Sequence, residues 1–139
     1  MANRTERILE SIKTNAGDEA YRHILEVCGT PEEGAAPGKQ AKYVEAVLLE
    51  FLHTYGEDLI SSVLRPCGQQ CISNATVAKA KAFYTDSAGL EDFLLRLNCE
   101  RIGGGRLYLQ NGKIIGSYDK CYCGLAKTAK GMPSAYCHC

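Results

Sequence analysis

The chain has 139 residues, of which 45% are hydrophobic and 23% charged, and its formal net charge at neutral pH is zero. This length predicts a sizeable hydrophobic core, and the composition excludes wholesale disorder. The sequence contains no run of about twenty apolar residues, so no membrane span is expected. The polar, helix-periodic start, which has no apolar signal core, predicts a cytoplasmic protein.

Residues 1–100 are acidic, with ten Lys/Arg against fifteen Asp/Glu, and their apolar residues repeat at helical intervals. Ile8, Leu9 and Ile12 predict a first helix that ends near residues 15–18. A second helix is expected around Ile24, and Gly29 is expected to end it. Residues 30–38 contain Pro and Gly and predict a connector.

The longest apolar period in the chain begins after Lys39 and runs through Tyr55, and it predicts the central helix of the core. The pattern continues beyond Gly56 as far as Leu64. Because proline suits the first position of a helix, Pro66 is expected to open the next one, which runs through residue 83. Ser87 is expected to cap a last helix over residues 90–97.

Residues 101–139 differ in composition and in period. They contain six basic residues and one acid, seven of the fourteen glycines and four of the eight cysteines. Gly103–Gly105 predict a spacer between the helices and the C-terminal segment, and are not expected to bind a nucleotide. Alternating residues on both sides of Asn111-Gly112 predict a β-hairpin over residues 106–118. The expected fold is therefore α+β: a helical domain over residues 1–100 and a hairpin with a cysteine-rich, metal-anchored tail over residues 101–139, packed as one unit.

Two Cys-x-Cys pairs, Cys121/Cys123 and Cys137/Cys139, are separated by thirteen residues. Neighbouring sulfurs around tetrahedral zinc lie roughly 3.8 Å apart, which cysteines two residues apart on a turn can match. A disulfide inside Cys-x-Cys would close a strained ring. The basic residues of the tail favour thiolates, so zinc binding is the preferred interpretation and reversible disulfide chemistry the alternative.

A second pair, Cys67 and Cys71, lies four residues apart directly after Pro66. On a helix that begins at Pro66, both thiols would lie on one face near the N-terminus, where their pKa would be lowered. This pair could complete the tail site, form a second site with Cys28 or Cys99, or pack in the core. Cys28 is expected to be a buried structural thiol, and the role of Cys99 stays open.

Three of these elements together carry a family resemblance over about residues 65–139. The Cys-Gly-x-x-Cys run, the Cys-Tyr-Cys-Gly turn and the Tyr-Cys-x-Cys end resemble the signature of a group of largely uncharacterised prokaryotic cysteine-rich proteins, which neighbour aminothiazoline-carboxylate hydrolase-like proteins. Members of that group usually continue beyond the last motif. The resemblance implies no established activity, but it implies that six cysteines act together: Cys67, Cys71, Cys121, Cys123, Cys137 and Cys139.

The expected function is zinc binding by these thiols, in a structural or metal-sensing role. The alternative is an enzyme or electron carrier: an iron–sulfur or thiol redox protein, or a hydrolase with a helical base such as Glu91 or Glu100. A scavenging site for soft ions such as copper(I) is a further alternative. Six basic residues permit nucleic-acid contact but form a modest footprint, so a nucleic-acid partner is not favoured.

Overall fold

The computed structural model of the protein describes residues 3–117. This part of the chain contains six α-helices and one β-hairpin. The helices are α1 (Arg4–Ala16), α2 (Asp18–Cys28), α3 (Pro37–Tyr55), α4 (Glu57–Gln69), α5 (Asn74–Asp86) and α6 (Leu90–Cys99), and the strands are β1 (Tyr108–Gln110) and β2 (Lys113–Ile115). The mostly helical α+β class predicted from the sequence is confirmed. Within the described residues, no helix is long and apolar enough to cross a membrane.

The described chain divides into two compact units, residues 3–71 and residues 72–117. In the first unit, α1 packs against α2 and α4, and α3 packs against the same two helices. The predicted central period is confirmed, because Val44, Val47, Leu48 and Phe51 of α3 are almost fully buried. The predicted stripe of α1 also reaches this core. The core of this unit is therefore formed by apolar helix faces that the sequence predicts.

Local signals set most of the helix boundaries in this unit. The Asn3 side chain accepts a hydrogen bond from the Glu6 amide at 2.9 Å, while the Glu6 carboxylate accepts from the Asn3 amide at 3.0 Å. This capping box starts α1. As predicted, α2 ends before Gly29, whose φ of 78° lies in the region that favours glycine. The connector predicted over residues 30–38 is two residues shorter, because α3 begins at Pro37, which occupies its first turn.

The second unit begins with a helix whose predicted start was wrong. No break occurs at Pro66, which lies inside α4, and α5 begins instead after Ser73. The Ser73 hydroxyl accepts a hydrogen bond from the Thr76 amide at 3.2 Å, so this serine provides the N-cap. The prediction failed because the apolar face of α4 continues through Cys67 and is buried in the core.

The predicted cap of the last helix was also wrong. Ser87 ends α5, and its hydroxyl donates to the Phe83 carbonyl. Helix α6 begins after Gly89, where the Asp92 carboxylate accepts from the Ala88 amide at 3.1 Å. The N-cap residue Gly89 thus makes no side-chain cap, and the first-turn carboxylate instead fixes the residue that precedes it.

The hairpin is confirmed, with Tyr108 opposite Ile115 and Gln110 opposite Lys113 in an antiparallel register. Both turn residues have positive φ, 51° at Asn111 and 73° at Gly112, as a type I′ turn requires. The strands are shorter than the expected hairpin over residues 106–118. The first begins at Tyr108 and the second ends at Ile115, residues 116 and 117 are not in a strand, and residue 118 lies beyond the described residues. Of the three glycines before the hairpin, Gly103 and Gly104 lie in a single 3-10 turn, Ile102–Gly104, and Gly105 follows it.

Candidate metal centre

Cys67 lies in the last turn of α4 and is one of the buried residues of the first unit. It continues an apolar stripe with Ile60, Val63 and Leu64, which explains why the helix passes through Pro66. A proline so close to the C-terminal end removes one main-chain donor, and the packing of the stripe compensates for this loss. The expected position of Cys67 at a helix N-terminus is therefore wrong.

The surroundings of Cys67 favour the neutral thiol. Its Sγ lies 3.5 Å from the Val63 carbonyl oxygen and 3.7 Å from that of Arg7. Burial raises the pKa of the Cys67 thiol, and the nearby Cys71 adds to this, while the nearby Ser11 hydroxyl and the charge of Arg7 act in the opposite direction. The C-terminal end of a helix also disfavours a negative charge. The expectation of a lowered thiol pKa at this position is thus not met.

Cys71 lies just beyond α4 and is exposed. Its thiol donates to the Cys67 carbonyl, with the sulfur 3.4 Å from the oxygen. The two cysteines are near each other in the chain but have different environments, one in the core and one in water. Neither forms a disulfide within the described residues.

A groove of about 690 Å³ lies beside Cys67, between α1 and the end of α4. Ser11 stands on its α1 side, where its hydroxyl donates to the Val63 carbonyl at 2.6 Å and accepts from the Asn15 amide at 2.9 Å. The sequence interpretation did not single out Ser11. A signal existed, because Ser11 lies three residues after Ile8 on the apolar face of α1, where a polar side chain needs an internal partner.

The other described cysteines lie apart from this groove. Cys28 is half-buried against the core, as expected for a structural thiol, and burial followed by the charge of Glu50 raises its pKa. Cys99 is exposed at the end of α6. The side chain of His23 in α2 pairs with that of Glu50 in α3, with Nε2 2.9 Å from the carboxylate oxygen. Because a carboxylate only accepts, the Nε2 atom of His23 carries the hydrogen of this bond.

The tail cysteines, Cys121, Cys123, Cys137 and Cys139, lie outside the described residues. Within residues 3–117, no group of three or more His, Cys, Asp or Glu side chains is arranged to hold a metal ion. The described chain thus contributes one candidate pair, Cys67 and Cys71. A four-thiolate site needs additional ligands, which the sequence offers only in the tail and as the separate Cys28 and Cys99.

Comparisons with protein-family models, with curated proteins and with solved structures found no match to this chain. The resemblance to cysteine-rich prokaryotic proteins therefore stays a prediction, as do the metal and the six-cysteine ligand set.

Proposed function

We propose that this protein binds zinc through cysteine thiolates and that the ion has a structural or metal-sensing role. The observation that carries the proposal is the pair of Cys-x-Cys motifs in a segment with six basic residues and one acid. Such a segment offers soft sulfur ligands and few competing carboxylates. Its positive charges also offset the net charge of −2 on a zinc ion held by four thiolates.

The described residues add one feature that supports this proposal. Cys67 and Cys71 are free thiols, four residues apart, at the end of a helix that is anchored in the core. Ligands on such an element have a supported position, which a glycine-rich tail alone does not offer. Zinc binding would then release the thiol protons and convert binding energy into folding energy for the tail.

The test uses the full chain, purified without oxygen, with metal content measured by elemental analysis and free thiols counted before and after chelation. We expect about one equivalent of zinc, with the ligand thiols protected until the ion is removed. Cys123→Ser and Cys137→Ser should each lose zinc to a competing chelator more readily. Cys28→Ser is the matched control, because Cys28 lies outside the proposed ligand set, and it should retain the ion.

Cys71→Ser tests the contribution of the helical pair. Because the Cys71 side chain is exposed, this substitution should leave the core of residues 3–71 intact while weakening zinc retention. Unchanged zinc retention would mean that the ligands all come from the tail. Full thiol reactivity with no bound metal would overturn the proposal. Visible absorbance of the anaerobic protein would indicate an iron–sulfur cluster in place of zinc.

A further inference from the structure

The turn of the β-hairpin carries the one Asn-Gly step in the sequence, Asn111-Gly112. Both residues are exposed, and their φ angles are 51° and 73°. An asparagine that precedes glycine can react with its own main chain, because glycine has no side chain to hinder the approach of its amide nitrogen to the asparagine Cγ atom. The turn therefore offers the two reacting groups of an intramolecular substitution.

The surroundings leave both reacting groups accessible. Among the described residues, the Asn111 side chain has no hydrogen-bond partner. A Cβ atom built on Gly112 would have no atom of the described chain within 4 Å, apart from its neighbours in sequence. The strand residues that close the loop are Gln110 and Lys113, so the Gly112 amide lies outside the hydrogen-bonded ladder. Neither packing nor hydrogen bonding therefore blocks the reaction at this turn.

Asn98 shows how the fold can protect an asparagine. Its side-chain amide donates to the Leu107 carbonyl at 2.9 Å, and its side-chain oxygen accepts from the Leu107 amide at 2.7 Å. Both bonds must break before its Cγ atom can meet another group. The four asparagines other than Asn111 lie at a helix cap or within a helix, and none of them precedes a glycine: Asn3, Asn15, Asn74 and Asn98.

The hairpin supplies the motion that the reaction needs. Each strand has three residues, and within residues 3–117 the sheet has these two strands alone. A two-stranded ribbon of this length is only marginally stable in water, so it opens readily. In the open turn, Asn111 leaves its left-handed conformation and its Cγ atom comes within reach of the Gly112 nitrogen.

We propose that Asn111 is a site of spontaneous deamidation and isomerisation. The Gly112 amide nitrogen attacks the Cγ atom of Asn111, the new N–Cγ bond replaces the Cγ–Nδ2 bond, and ammonia leaves with the proton of the amide. Water then opens the five-membered succinimide at either of its carbonyls, which gives aspartate or isoaspartate at position 111. The reaction uses none of the cysteines, so it stands independently of the metal proposed above.

Both products change the charge of the hairpin, and one of them also changes its main chain. Residues 101–117 contain three basic residues and no acid, so the new carboxylate is the first negative charge of this stretch. Isoaspartate also adds one carbon atom to the main chain of a two-residue loop that pairs Gln110 with Lys113. Because loop length fixes the register of a hairpin, isoaspartate should unpair the strands, whereas aspartate should not.

The experiment incubates the full chain in mildly alkaline buffer, once folded and once in guanidinium chloride. Samples are digested at acidic pH, where the reaction is slow, and mass spectrometry measures the exchange of amide for acid at each asparagine. We expect conversion in the folded protein at Asn111 and not at the other four. The rate should rise with pH, because base removes the proton of the attacking nitrogen. Fragment ions distinguish isoaspartate from aspartate.

Cys99→Gly is the matched control, because it places a glycine after Asn98 at an exposed position of the same unit. In the folded variant, Asn98 should convert at least about tenfold more slowly than Asn111, since its two bonds to Leu107 must break first. In denaturant the two rates should be similar. Equal rates in the folded variant would overturn the proposal. So would a wild-type Asn111 that converts in denaturant but persists in the folded protein.

Asn111→Asp separates the effect of the charge from that of the altered main chain. This variant should keep the amide-exchange protection of the two strands, because aspartate also tolerates a positive φ. The isoaspartate form, separated from the incubated wild type, should lose this protection. Equal protection in the two forms would overturn the expected effect on the hairpin.

Discussion

Two hydroxyl groups buried on α1 should respond in opposite directions when they are removed. Thr5 and Ser11 are 3% and 8% exposed, respectively. The Ser11 hydroxyl donates to Val63 and accepts from Asn15, whereas the Thr5 hydroxyl has no partner within residues 3–117. The helix, the burial and the kind of group are shared, so the comparison isolates hydrogen bonding.

Thr5→Val keeps the shape of the side chain and replaces an unsatisfied hydroxyl with a methyl group. It should raise the free energy of unfolding by about 1–2 kcal/mol, because an unpaired buried polar group costs about that much. Ser11→Ala should lower it by about 1–3 kcal/mol, because the substitution removes two hydrogen bonds and leaves the Asn15 amide without its acceptor.

Urea unfolding of the full chain, followed by far-ultraviolet circular dichroism, measures both changes as shifts in midpoint at constant slope. Thr5→Ser is the control, because it keeps the hydroxyl and loses one buried methyl, and it should destabilise by about 1 kcal/mol. A destabilisation of about 1 kcal/mol by Thr5→Val would contradict this prediction, because the hydroxyl would then have a partner in the folded protein. Indistinguishable midpoints for Ser11→Ala and the wild type would refute it as well.

Three further predictions concern the core, one ion pair and the hairpin. Phe51→Ala should destabilise by about 3–5 kcal/mol in thermal or urea unfolding, because Phe51 is fully buried, whereas Tyr84→Ala, at a side chain 67% exposed, should cost far less. The hydrogen bond from His23 is the main cause of the lowered pKa of Glu50. The wild type should therefore be more stable than Glu50→Gln above about pH 4.3, and this difference should vanish as the pH falls through the lower pKa of the folded state. Urea midpoints measured across this pH range test it. Gly112→Ala should destabilise the hairpin by about 1 kcal/mol, because a Cβ atom is strained at a φ of 73°. Faster amide hydrogen exchange in the two strands would show this effect, and unchanged exchange would contradict the turn geometry.

The candidate metal site shows how far a motif can be interpreted without tertiary contacts. Spacing alone identified Cys67 and Cys71 as a pair, and both are free thiols at the end of one helix. Spacing could not reveal that one thiol is buried against α1 while the other is exposed. That difference depends on which face of α4 the core covers, and the covering residues lie about sixty positions earlier in the chain.

The sequence by itself determined the elements whose signals are local. The apolar period that ends at Tyr55 made α3 the central helix, and Asn111-Gly112 specified the hairpin turn, because helical periodicity and positive φ act within a few residues. Tertiary structure alone decided that α4 continues through Pro66 and that the Thr5 hydroxyl is buried without a partner. The physical reason is that burial is a property of packed faces, and the packing of one face can override a local stop signal or leave a polar group unpaired.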